Sequence, residues 1–76
     1  MSYNFISPNH VRAARGWLHW SLNDLEDKSG ISRGAISKFE TGFRGLSEKT
    51  LGILYQAFAR EGVMLQPGGI YAKEMP

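Results

Sequence analysis

The residues best suited to chemistry lie mid-chain, and what they suit is recognition of an anionic surface rather than bond-making. From Ser32 to Glu40 the chain reads Ser-Arg-Gly-Ala-Ile-Ser-Lys-Phe-Glu. At about 100° per residue, Ala35, Ile36 and Phe39 fall on one side of a helix and Arg33, Gly34, Ser37 and Lys38 on the other. That second side is small and polar, with a cation at each end. Arginine can pair both acceptors of a guanine edge, lysine can reach guanine or phosphate, and serine can serve either role. Two local rules are broken there. Arg33 stands in the first turn, where the helix dipole disfavours a cation. Gly34 costs about 1 kcal/mol relative to alanine in a helix interior. Exceptions of this kind are expected where function overrides stability. The blander reading of Arg33 and Lys38 is a solubilising surface, and of Gly34, chance.

Other groupings offer less. His10 and His19 have no partner at metal-ligand spacing and the chain has no cysteine, so no metal site is expected. Asp24, Glu26 and Asp27 crowd one short helix, with Glu40 elsewhere and no cradling loop beside them. They read as a solvated acidic face rather than a general acid–base pair. Pro67-Gly68-Gly69 lacks the following Lys-Ser/Thr and helix of a phosphate loop and reads as a turn. Trp17 and Trp20 could stack single-stranded bases, but their spacing around the first helix end suits core packing. Neither an enzyme nor a cofactor is expected.

Four helices must position these residues, and each is marked by a serine cap. Ser7-Pro8 starts the first, with Val11, Ala14 and Leu18 as its apolar stripe, Trp17 widening it, and Phe5 or Ile6 stapling its start. Ser21 with Asp24 starts the second, which Gly30 ends. Ser32 starts the third, which Thr41-Gly42 stops. Ser47 with Glu48 starts the fourth, where Leu51, Leu54, Tyr55 and Phe58 share a face and Gly62 ends the helix. Residues 63–72 read as strand, turn, strand, and Tyr3–Ile6 as extended. Two short helices joined by Gly30-Ile31-Ser32 form a helix-turn-helix unit, with Leu25, Ile31, Ile36 and Phe39 pointing into its angle.

The remaining arithmetic fits. At 76 residues the chain is one thin-cored domain with no room for a deep pocket, and at 42% hydrophobic it is not disordered. No apolar run approaches a membrane span, and the first five residues do not resemble a signal peptide, so the cytoplasm is expected. The net charge is only +2, but it is segregated. Arg12 and Arg15 precede an acidic stretch, and Arg33, Lys38 and Arg44 follow it. Such a pattern suits one face meeting phosphate.

The stretches Val11–Arg15, Trp20–Leu25, Gly30–Gly42 and Ser47–Leu51 resemble the lambda-repressor/Cro-like (XRE) helix-turn-helix family over about residues 8–62. The resemblance implies a compact all-α domain that binds duplex DNA as a transcriptional regulator, usually as a homodimer on a palindromic operator. It implies base reading by Ser32, Arg33, Gly34, Ser37 and Lys38, and phosphate contact by Thr41 and Arg44, to which Asn23 and Arg12 are added. It also implies an internal ion pair between Arg15 and Glu40. Three positions depart from the pattern. Leu22 stands where a DNA-bridging glutamine is usual. Glu26 stands where two helices approach closely, so its head must point outward or the crossing must open. Residues 63–72 replace a fifth helix.

The expectation is therefore four short helices with a C-terminal hairpin-like extension. Residues 1–62 form the binding domain, and 63–76 a segment able to serve dimerisation. The expected function is sequence-specific DNA binding by helix 33–39 in the major groove, as a repressor of phage or bacterial origin. The alternative is a protein-interaction module, such as an antitoxin or adaptor, which Leu22 and Glu26 favour slightly.

Overall fold

The computed structural model describes residues 2–73; the last three residues of the 63–76 segment lie outside it. The elements run α1 (Pro8–Leu18), α2 (Leu22–Ser29), α3 (Arg33–Glu40), α4 (Glu48–Ala59), β1 (Val63–Gln66) and β2 (Gly69–Ala72). All four serine caps accept a backbone N–H from the third helical residue. At Ser21 the box closes as the sequence implies, with Asp24 accepting the Ser21 N–H at 2.9 Å.

At Ser7 the reciprocal partner is His10. Its Nδ1 accepts the Ser7 N–H at 3.1 Å, so Nε2 carries the proton and donates to the Gln66 carbonyl at 2.7 Å. A buried histidine thereby caps α1 and ties it to the end of β1. Gly30 ends α2 with φ +77°, a left-handed backbone that glycine adopts without steric cost.

The strands pair antiparallel, Val63 opposite Ala72 and Gln66 opposite Gly69, around a two-residue turn. Val63 and Leu65 on β1 are buried in the same core as Val11, Ala14, Leu25, Ile36, Leu51, Leu54 and Phe58. The hairpin thus closes the core beside α4 and α1.

Two expectations are corrected. Tyr3–Ile6 is not extended: a turn closes with the Ile6 N–H donating to the Tyr3 carbonyl at 3.0 Å. Tyr3 packs against Tyr55 of α4, its N–H bonds Glu48, and Ile6 is buried below, so the segment is anchored by side chains rather than by a sheet edge. Trp17 does not join the core but stands 54% exposed, because it lies at the margin of the α1 stripe. Trp20 packs against the core instead, stacked on Phe58 with centroids 5.8 Å apart.

Candidate nucleic-acid interface

The α2–α3 unit is held by apolar contacts inside its angle. Leu25, Ile36 and Phe39 are buried there, and Ile31 is half-buried. The turn is tightened by Ser29, whose hydroxyl donates to the Leu25 carbonyl at 2.7 Å and accepts the Ile31 N–H at 3.1 Å. Burying Ile36 and Phe39 forces the opposite side of α3 outward, so Ser32, Arg33, Gly34 and Lys38 are exposed and Ser37 is half-buried.

The back of α3 is fixed by charge. Arg15 grips Glu40 through two hydrogen bonds, Nε to Oε2 at 2.7 Å and a terminal nitrogen to Oε1 at 2.8 Å. Its third donor meets the Trp20 carbonyl at 2.9 Å. The side chains are only 21% and 7% exposed. The hydrogen bond to Glu40 raises the Arg15 pKa above its ordinary value, against the opposing effect of burial. Arg12, on the same helix, donates to the Glu40 backbone carbonyl and to Asn9 Oδ1. The C-terminal end of α3 is therefore pinned to α1 by two arginines.

At the other end of α3, Arg33 donates to Asn23 Oδ1 of α2 at 2.7 Å. Its backbone N–H bonds Glu26 Oε2 at 3.3 Å. The Glu26 head thus points to the start of α3, where it supplies the negative charge that the first turn lacks. Leu22 packs on the core.

Not every candidate residue shares one surface. Ser32, Gly34, Ala35, Lys38, Arg44 and Leu46 line an open groove of about 350 Å³ between α3 and the loop before α4. Arg33 and Asn23 lie together on the flank toward α2. Arg12 sits apart, behind the end of α3. The Thr41 hydroxyl donates back to the Ser37 and Lys38 carbonyls at 3.1 and 3.2 Å. Among the described residues, no group of three or more His, Asp or Glu could hold a metal, and no helix is long and apolar enough to cross a membrane.

A family model described as helix-turn-helix matches residues 11–61, from within α1 to just past α4. The chain belongs to this helix-turn-helix family, of the XRE (Cro/C1) type. No curated protein matches. In this helix-turn-helix protein the matched region holds the whole α2–α3 unit, the part of α1 from Val11 onward and all of α4, and leaves the hairpin outside. The family is a DNA-binding, regulatory one, which makes the outward side of α3 the surface of interest.

One residue at that surface escaped sequence reasoning. Phe43 is 78% exposed, beside Arg44 in the loop that follows α3. No signal of this exposure stands in the sequence, because Phe39 four residues before and Leu46 three residues after stand at helical spacing and suggest a packed ring.

Proposed function

We propose that this protein is a sequence-specific repressor that inserts α3, residues 33–39, into the major groove of a palindromic operator as a homodimer, working in the cytoplasm where that duplex lies. The observation that carries the reading is the division of α3 into a buried apolar side and an outward side of Ser32, Arg33, Gly34, Ser37 and Lys38.

In this reading α2 crosses the sugar–phosphate backbone while the start of α3 addresses base edges. Arg33, steadied by Asn23, presents a guanidinium suited to a guanine edge. Gly34 lets the helix backbone approach the bases. Asn23 and Arg44 contact phosphate, and the Arg44 charge supplies salt-dependent affinity, whereas Arg12 and the Thr41 hydroxyl are engaged within the fold. Repression follows from occupancy of the operator. The protein-interaction alternative rests on Leu22 and Glu26; both are half-buried, Leu22 against the core and Glu26 at the start of α3, which gives each a role within the fold and favours the DNA reading.

The dimer surface is assigned to the outer face of the hairpin, where Met64 and Tyr71 are direct cross-strand neighbours and both exposed. Two copies reading half-sites about 34 Å apart gain affinity that one small unit lacks. Selection from a random duplex pool tests the whole reading. A palindromic consensus bound two-to-one supports it; strong binding without sequence enrichment, or one-to-one binding only, overturns it. Sedimentation of Tyr71→Lys tests the interface, because truncating the hairpin also removes Val63 and Leu65 from the core.

A further inference from the structure

The ends of α1 and α3 carry the same hydrogen-bonding motif. At α1, His19 is left-handed (φ +59°), its N–H meets the Gly16 carbonyl at 3.2 Å, and the Trp20 N–H meets the Arg15 carbonyl at 2.9 Å. At α3, Gly42 is left-handed (φ +77°), its N–H meets the Phe39 carbonyl at 3.0 Å, and the Phe43 N–H meets the Lys38 carbonyl at 2.9 Å. In this cap the residue after the left-handed one usually makes an apolar contact with the fold. Trp20 does so, stacked on Phe58. Phe43 does not, because the helical residues it faces across the cap are Ser37 and Lys38.

The Phe43 backbone is nevertheless fixed. The Arg44 N–H donates to the same Lys38 carbonyl at 3.2 Å, closing the loop over the end of the helix. An aromatic ring is thus presented in water from an ordered backbone, which is bonded to the Lys38 carbonyl and continues into Arg44, two residues that line the groove. Its exposure exceeds that of Trp17, Met64 and Tyr71.

We propose that Phe43 packs on the apolar face of a deoxyribose in the strand bordering the groove, beside the phosphate held by Arg44. This rests on the reading of α3 as the groove-inserted helix. A recognition helix addresses bases from its N-terminal residues, so a residue beyond its C-terminal end meets the backbone at the groove edge. The groove's cations select an anionic partner, and beside a phosphate the surface a ring can cover is sugar carbon. The contact adds affinity without sequence preference, and without the salt dependence of an ionic contact.

The test is affinity of wild type, Phe43→Ala and Phe43→Leu for the selected operator and a scrambled duplex over a salt series, with thermal melts and sedimentation alongside. Phe43→Ala is expected to lose about tenfold on both duplexes, as burial of part of one ring implies. The salt slope and melting temperature stay as in wild type, and Phe43→Leu recovers part of the loss. Unchanged affinity overturns the proposal, as does a loss confined to the operator, a fall in melting temperature that accounts for the loss, or loss of self-association in its place. Wild type that binds neither duplex overturns the reading of α3 and this proposal together; wild type that binds while Phe43→Ala binds equally overturns the Phe43 contact alone.

Discussion

The two sides of α3 carry charges that the fold treats in opposite ways. On the inner side Glu40 is buried, both carboxylate oxygens are taken by Arg15, and the third guanidinium nitrogen donates to the Trp20 carbonyl. On the outer side Arg33 has a single exposed side-chain partner, Asn23, and among the described residues the Lys38 and Arg44 side chains donate to nothing. Glu40 and Arg15 can be understood from stability alone. The outer cations cannot, because exposed charges contribute little to folding. Glycine follows the same division: Gly30 has a backbone that requires it, whereas a Cβ at Gly34 would meet nothing within 4 Å. What the fold does not use on the outer side is available to a ligand.

The largest effect should come from breaking the inner side. Arg15→Met is expected to destabilise the protein by about 3–5 kcal/mol, because Glu40 is left buried without its partner. Arg12→Met, whose side chain is exposed, should cost no more than about 1 kcal/mol. Urea denaturation compares them, and equally mild losses would erase the distinction between the two sides.

Next is Gly34→Ala. With open space for the new methyl, the fold should gain up to about 1 kcal/mol from helix propensity. Melting temperature should rise by up to about 4–8 °C for a domain of this size. Operator affinity should fall at the same time, because the methyl occupies the approach of the bases. A variant more stable and equally tight in binding would show that the glycine serves no ligand.

The smallest effect is expected of Arg44→Ala. Its stability should stay within about 0.5 kcal/mol of wild type. Its binding should weaken alike on operator and scrambled duplex, with the salt slope reduced by about one. A loss on the operator alone would move Arg44 from phosphate to base contact.

Much of the fold was legible because its punctuation is local. Serine caps at positions 7, 21, 32 and 47 and Gly30 act through neighbours within four residues, so the sequence displays them directly. The hairpin was legible from its turn and alternation. What stayed hidden depends on distant partners. His10 looks unpaired in the sequence, yet Gln66 and Ser7 take both ring nitrogens. Trp17 and Trp20 look equivalent, and only the position of Phe58 decides which is packed. Tyr3–Ile6 has strand-like composition, but α4 gives it side-chain anchors and no edge to pair with. At the candidate interface the split of α3 into faces was readable from periodicity. The Glu26 cap and the Arg33–Asn23 bond required the crossing of α2 and α3 to be known.

The central claim is that the outer side of α3 reads bases, and Arg33 is its sharpest probe. The direct measurement is the ratio of dissociation constants for scrambled and selected duplexes, at fixed salt, for wild type and Arg33→Ala. The account predicts that Arg33→Ala loses about 1–3 kcal/mol on the selected duplex and far less on the scrambled one, with preference relaxed at one or two base positions. Equal losses on the two duplexes would contradict it, and would reduce Arg33 to one more contact with phosphate.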